Sequence, residues 1–461
     1  MVATTQDIAY LTAVEAAHLF QTRELSPVEL TRAQLERIER LQPTIRAYIT
    51  VTDEIALREA RTAEAALLHG EGGPLVGIPM AYKDIYMTAG VLTTAGSKIH
   101  EHDVPEITAT TVRKLHEAGV VMLGKLATHE FALGITSEDH PFPPARNPWN
   151  LERIPGGSSS GSGAALAAGI AVGTLGTDTG GSIRHPGSNC GIAALKPTYG
   201  RCSRYGVYTL SWSLDHTGPM ARTVEDVALM LTAIAGFDPL DPASAQVPDE
   251  DFSRHLNAGV RGLKVGVMRS YYEPTAKPYV TAAVDEVVRV LAGLGAEIAD
   301  VEIPSMELVK ASSAIMLTEA YSYHSPDLRE TPEKYPSWLR NRLLTGGLFS
   351  GSEYVQAQRA RQAVKEDFAK VLREVDVIVT PTRGDVAMTF PEAYEDYGRG
   401  PSYTPMYNMT GMPAISIPCG FADGLPIGLQ IAGRPFDEAT VLRVAHAYER
   451  ATDWHTRHPA V

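Results

Sequence analysis

Residues 155–184 read PGGSSSGSGAALAAGIAVGTLGTDTGGSIR, and this run of glycine, serine, alanine and threonine governs the reading of the whole chain. A solvated Gly/Ser linker would be polar and flexible throughout. This stretch instead carries ALAAGIAV at its centre. Such small apolar residues suit a tightly packed helix and strand, and a linker would leave them in water. The reading is a serine loop, a small-residue helix, a strand, and then a second glycine loop, GTDTGGSIR (176–184).

On either side, short apolar strands alternate with helices. LVGIPMAY (75–82) and VVMLG (120–124) read as strands, and Thr111 to Ala118 reads as a helix closing at Gly119. Such alternation predicts an α/β fold with a largely buried, mixed or parallel sheet. Upstream, Thr12 precedes Glu15, and Ser26-Pro27-Val28-Glu29 is a capping box with proline at the first helical position. Val28, Leu35 and Ile38 supply part of an apolar helix face. Downstream, FDPLDPASAQVPDEDF (237–252) reads as a surface connection. Val284, Val287, Val288, Leu291 and Leu294 share a helix face ending at Gly295, before the strand-like AEIADVEI. Residues 306–375 read as mainly helical, and DVIVTPT (376–382) and PAISIPCGF (413–421) as buried strands. The expectation is one domain over 1–461, with a core at 65–230, a mainly helical insertion at 237–375 and a return to the sheet at 376–461.

With 461 residues, 44% hydrophobic and 21% charged, the chain has the composition of a folded globular protein. Its formal net charge of −13 opposes polyanion binding, which needs a concentrated Lys/Arg surface. The N-terminus MVATTQDIAY lacks the basic and apolar regions of a signal peptide, and no apolar run reaches the ~18 residues of a membrane span. Three scattered cysteines, Cys190, Cys202 and Cys419, fit a reducing compartment and form no zinc pattern. A cytoplasmic protein with no metal, no nucleic acid and no membrane partner is expected.

Cleaving an amide or ester without a metal calls for a nucleophile, a base and donors for the oxyanion. Ser182 directly follows two glycines, a setting in which the N–H groups of Thr179, Gly180, Gly181 and Ser182 can turn inward as an anion nest. Ser158, Ser159 and Ser160 lie on a glycine loop just before a helix, whose N-terminus adds a positive field. GIPMAYKD (77–84) ends a hydrophobic strand with Lys83, where desolvation disfavours the charged amine and frees it as a base. Other readings stand beside these. A lysine after a strand is usually solvated. His129, His185 and His216 invite a Ser-His-Asp triad, although no G-x-S-x-G elbow accompanies them. Cys190, in apolar GSNCGIAAL, reads as a structural thiol rather than a nucleophile. The glycines make neither a P-loop nor a dinucleotide fingerprint, so no cofactor is implied.

Taken together, the three segments resemble the amidase signature family, whose hallmark is a Ser–cis-Ser–Lys triad. The family's loop matches PGGSSSGSG, its nucleophile segment GTDTGGSIRHPGSNCGIAALKPTYGR, and its lysine strand GIPMAYKD. Ser158 stands 24 residues and Lys83 99 residues before Ser182, and NPWN (147–150), SLDHTGPMARTVEDVA (213–228) and YNMTGMPAISIPCGF (407–421) agree as well. The resemblance implies a large, mixed, mostly parallel twisted sheet with helices on both faces. It makes Ser182 the nucleophile, Ser158 the shuttle on a cis peptide with Gly157, and Lys83 the terminal base. Thr179, Gly180, Gly181 and Ser182 become the oxyanion hole, supported by Ser159, Asp178 and Arg184, with a substrate carboxylate as the other reading for Arg184. Ser160 departs from the glycine usual there.

Tyr86, Phe131, Ile135, Thr136, Tyr403 and Tyr407 are the expected substrate lining. The implied reaction is amide hydrolysis through an acyl-enzyme, with esters and carbamates also open to it. YPSWLRNRLLTGGLFSGSEYVQAQRAR (335–361) resembles stand-alone amidases more than the glutaminase subunit of the tRNA-dependent amidotransferase. A homodimer acting on a small-molecule amide, ester or carbamate is expected on that basis. The glutaminase subunit and a catalytically silent binding scaffold are the alternatives.

Overall fold

A computed structural model describes residues 8–134, 141–395 and 402–461. The first helices start where local chemistry places them. Thr12 Oγ1 accepts from Glu15 N at 3.0 Å while the Glu15 carboxylate accepts from Thr12 N at 2.9 Å, opening the helix Ala13–Thr22. Ser26 and Glu29 repeat the device at the helix Pro27–Ile45, with Pro27 in its first turn.

Among the described residues one sheet of 11 strands runs through the chain. The strands are β1 (Tyr48–Val51), β2 (Pro79–Lys83), β3 (Val121–Leu126), β4 (Gly173–Asp178), β5 (Ala193–Lys196), β6 (His216–Ala221), β7 (Lys264–Val267), β8 (Glu297–Asp300), β9 (Val377–Pro381), β10 (Ala414–Ala422) and β11 (Leu425–Gly433). Their order is β1-β3-β2-β4-β6-β5-β10-β11-β9-β7-β8. The sheet is large and mixed. Its parallel pairings fall in two blocks, β3-β2-β4 and β9-β7-β8, and the strands between and beside them pair antiparallel. In both blocks successive strands are joined by helical crossovers, such as Thr110–Glu117 before β3 and Pro278–Gly293 before β8. The stretch 237–252 contains no helix or strand. The following residues to 375 combine helices with β7 and β8, which join the common sheet through β9.

The 160–172 region shows why its residues are small. All eight residues of the helix Ser160–Ala167 are buried. A Cβ on Gly161 would come within 2.4 Å of the Ala47 carbonyl oxygen and 2.5 Å of Ala127 N. Only a side-chain-free surface permits that approach, which excludes a solvated linker. Ser160 fits in its departure from glycine because its Oγ reaches the Ala127 carbonyl at 3.3 Å. No described helix is long and apolar enough to cross a membrane.

Candidate active site

β2 carries Lys83 at its last position, wholly buried between β3 and β4. Its Nζ donates to Ser158 Oγ at 2.6 Å and to Thr177 Oγ1, on β4, at 2.8 Å. Burial, opposed by the charges of Asp178 and Asp215, pulls the amine down from 10.5 to about 7. Near neutral pH much of this lysine is therefore an uncharged amine already touching a hydroxyl.

The 157–158 peptide bond is cis, and Ser158 sits just before the small-residue helix. The loop is tied to the nucleophile segment through Ser159, whose N–H donates to the Ser182 carbonyl at 3.2 Å, and whose Oγ meets both the N–H and carbonyl of Thr177 at 3.3 Å. Ser182 is half-buried, and among the described residues its hydroxyl has no protein hydrogen-bond partner. Ser158 and Ser182 open onto the same cavity of about 300 Å³. Among the described residues no hydrogen bond joins the Ser158 and Ser182 hydroxyls, a kind of contact that in enzymes commonly tightens only in the Michaelis complex.

Asp178 and Arg184 organise the loop between them. Asp178 accepts from the N–H groups of Gly181 (2.8 Å) and Ile183 (3.0 Å), from Asn408 Nδ2 (2.8 Å), and from Arg184 Nε and Nη2 (3.0 and 2.8 Å). Burial alone would raise its pKa, but Arg184 overrides that and holds the carboxyl far below the ordinary range. The remaining Arg184 donors go to Thr404 O, Gln430 Oε1 and Asn408 Oδ1. Its guanidinium is fully engaged inside the protein, leaving nothing for a substrate carboxylate.

This network also revises the nest. Gly181, at φ +130°, points its N–H at Asp178 and not at the cavity. Among the described residues the N–H groups of Thr179, Gly180 and Ser182 have no protein acceptor. Thr179 is fixed through its hydroxyl, 2.6 Å from Asp215 Oδ1. Burial raises the Asp215 carboxyl to about 6. Sequence reasoning did not single out Thr177, Asp215 or Asn408, although the last two lie inside the SLDHTGP and YNMTGMP segments.

The proposed substrate lining is mostly displaced. Tyr86 is buried, its hydroxyl donating to the Gly176 carbonyl at 2.6 Å. Phe131 packs in an aromatic group with His324, centroids 4.4 Å apart, and with Tyr208 and Tyr335. The Tyr403 hydroxyl lies 2.8 Å from Thr275 Oγ1 and donates to Tyr272 O at 3.3 Å, and Tyr407 is buried against Phe368 and Arg184. None of the four lines the cavity, because each packs its ring in the core. Ile135 and Thr136 lie outside the described residues. The cavity walls are instead Leu133, Ile154, Leu214, Met316 and Met388, with Arg342 and Arg383.

The histidines form no serine triad. His185 Nε2 meets Thr404 Oγ1 and Ser402 Oγ, and His216 Nδ1 lies 2.7 Å from the Leu214 carbonyl. His129 lines the cavity and holds the loop, its N–H donating to Ser158 O at 3.1 Å. Cys190 is buried with its thiol on Pro155 O, and burial pushes its pKa far up.

The large mixed sheet, with Lys83 against Ser158 and a cavity shared by Ser158 and Ser182, is the fold and site of an amidase-type hydrolase of C–N bonds. Residues 29–442 match the Amidase family, and the chain belongs to it, as an amidase signature protein. A glutamyl-tRNA(Gln) amidotransferase subunit from Geobacter metallireducens is 45% identical, covering 97% of this chain and 98% of its own. Among solved structures, an s-triazine catabolic enzyme described with a vestigial protein complex superposes with a TM-score of 0.89 at 33% identity, covering 96% of this chain and 98% of its own. The peptide amidase of Stenotrophomonas maltophilia does so at 0.86 and 30%, covering 98% of each chain.

These relatives correct one expectation. A homodimer with a small-molecule substrate and no nucleic acid does not accord with full-length similarity to one component of an enzyme acting on glutamyl-tRNA(Gln). The error has a physical source. A net charge of −13 describes this chain's own surface, whereas in an assembly the phosphate contacts can belong to another component. The local likeness of 335–361 to stand-alone amidases is likewise outweighed by identity over the whole chain.

Proposed function

We propose that the chain cleaves a carboxamide through an acyl-enzyme on Ser182, and that it does so as the glutaminase subunit of a tRNA-dependent amidotransferase. The observation carrying the chemistry is the desolvated Lys83 amine 2.6 Å from Ser158 Oγ. Neutral Lys83 takes the Ser158 proton while Ser158 takes that of Ser182, whose oxygen bonds to the carbonyl carbon. The N–H groups of Thr179, Gly180 and Ser182 receive the oxyanion. As the tetrahedral adduct collapses, the C–N bond breaks and the proton returns through Ser158 to the nitrogen, releasing ammonia. Water then attacks the ester by the same relay and frees the carboxylate. The amidotransferase reading is supported by the relatives named above.

Release of ammonia from glutamine is the direct test, with the chain alone and with the remaining amidotransferase subunits and glutamyl-tRNA(Gln). Stimulation by the assembly is expected, and Ser182→Ala should abolish it. A second reading is favoured by the apolar walls Leu133, Ile154, Leu214, Met316 and Met388: hydrolysis of amides with an apolar or aryl acyl group, and of esters and carbamates, since the relay protonates an alkoxide as well as an amine. Fast turnover of aryl amides by the chain alone, with no response to the other subunits, would put this reading first. Labelling of Ser182 by a fluorophosphonate separates either from a silent scaffold.

A further inference from the structure

Residues 208–215 form no helix or strand, yet they lead straight into the site. Across the β4-β6 ladder Asp178 pairs with His216, so the next residues outward, Thr179 and Asp215, stand opposite each other. Thr179 Oγ1 donates to Asp215 Oδ1 at 2.6 Å, while Asp215 Oδ2 accepts from the N–H groups of Leu210 and Ser211, each at 2.9 Å. A turn without ladder bonds takes its shape from the side chains that satisfy its backbone. The place of Thr179 therefore depends on what holds 210–215.

The firmest hold comes from far along the chain. Glu319, on the helix Ser312–Glu330, accepts from Ser213 N at 2.9 Å, Ser213 Oγ at 2.7 Å and Ser211 Oγ at 2.5 Å, and the Tyr354 hydroxyl gives it a fourth bond at 2.8 Å. Arg361 donates to the Ser213 carbonyl at 2.9 Å, and the Tyr199 hydroxyl to that of Trp212 at 2.9 Å. Hydrogen bonds to an ionised carboxylate are stronger than those between neutral groups. The same helix reaches the cavity one turn earlier: Met316 stands three residues before Glu319, on the same face, and lines the cavity with Ser312 and Ser313. Glu319 itself does not line it.

We propose that Glu319 is a positioning residue for the oxyanion hole: by fixing Ser211 and Ser213 it holds Asp215 against Thr179, and so aims the Thr179 N–H at the developing oxyanion. The inference rests on the acyl-enzyme reading, in which that N–H is one of the oxyanion donors. It puts a determinant of the chemical step in the helix that also supplies part of the cavity wall. Glu319→Gln exchanges one acceptor oxygen for a donor, so the three bonds to the turn cannot all survive it.

The test combines Glu319→Gln with Thr179→Val, which removes the hydroxyl bond to Asp215 and keeps the backbone N–H. The readouts are kcat and KM for the 4-nitroanilide of butyric acid and the rate at which a fluorophosphonate labels Ser182. Alone, Glu319→Gln should lower kcat and the labelling rate at least about tenfold with KM held within about twofold, the pattern of an interaction made only in the transition state. In the Thr179→Val background it should cost no more than about twofold, because the link is already cut. Glu319→Asp keeps the charge and should recover part of the loss. Ser211→Ala is a milder cut in the same link; it serves if the glutamine variant does not fold, and its smaller loss should likewise vanish beside Thr179→Val. An equal loss in both backgrounds, or a wild-type kcat in Glu319→Gln, would overturn the proposal. A wild type that neither turns over the amide nor takes the label would count against the hydrolase reading, and the Thr179 amide resonance of protein with isotope-labelled threonine would then decide the link by itself: moved by Glu319→Gln it upholds the positioning, unmoved it overturns it.

Discussion

If neutral Lys83 is the base, kcat/KM must follow its deprotonation. With the amine held at about 7, the neutral fraction is about 9% at pH 6 and about 91% at pH 8, a rise of about tenfold. The active form is the deprotonated one, so the limb ascends with pH and flattens above 8. Asp215 is one of two carboxylates that favour the charged amine. Removing it by Asp215→Asn should therefore move the midpoint to lower pH. Replacement of the base, Lys83→Met, should cost about 10²–10⁴ in rate and remove the limb. The assay is kcat/KM for a chromogenic amide between pH 5.5 and 9, with folding checked by circular dichroism at each end. A flat profile between pH 6 and 8, or a limb that survives in Lys83→Met, would refute the assignment.

The same burial has a cost in stability. Between pH about 7 and 10.5 the unfolded chain binds a proton at Lys83 that the folded chain does not, so wild-type stability climbs with pH across that window. Lys83→Met should lose this slope and, at pH 7.5, melt higher, by on the order of a few kcal/mol; identical melting profiles for the two proteins would contradict this. Gly181→Ala places a Cβ 2.4 Å from Thr404 Oγ1 at φ +130°. It should lower kcat by about 10² or more through the displaced amide donors, and a wild-type kcat would show that the loop tolerates the shift. Asp178→Asn leaves Arg184 buried without its counter-charge and should cost about 3–5 kcal/mol in urea unfolding. A loss below about 1 kcal/mol would mean that Asn408 and Gln430 suffice to hold the guanidinium.

The parts of this architecture visible in the sequence are those specified locally. Thr12 with Glu15 and Ser26 with Glu29 start helices by bonding three residues along, and the small-residue run 160–172 announces close packing by its composition. Lys83, Ser158 and Ser182 stand out because each sits in a segment whose residue types suit one chemical task, and the fold brings Lys83 against Ser158 and opens both serines onto one cavity. What stays hidden depends on distant partners. HTGPMA, with its glycine and proline, has the look of a turn, yet as β6 it pairs with β4 through all six residues. β11 had a local signal in Asp423-Gly424, both at positive φ between two paired strands, a hairpin signature. The substrate wall had none. Aromatic residues near the motifs look suited to it, but a buried tyrosine goes where both ring and hydroxyl are satisfied, and for Tyr86 and Tyr403 that place is the core.

The proposed relay and much of the cavity wall thus come from different parts of the chain. The first is built from residue 83 and the stretch 158–184, held by Asn408 and Gln430 at the core. Much of the second comes from Met316, Arg383, Met388, Ala393, Ser402 and Pro405, which lie outside the lysine, loop and nucleophile motifs. A fold divided in this way can keep its relay while exchanging what faces it. That division accounts for similarity extending at once to a tRNA-dependent amidotransferase, an s-triazine catabolic enzyme and a peptide amidase. On the proposed mechanism the relay breaks the C–N bond, and the residues lining the cavity beside Ser182 select whose bond it is.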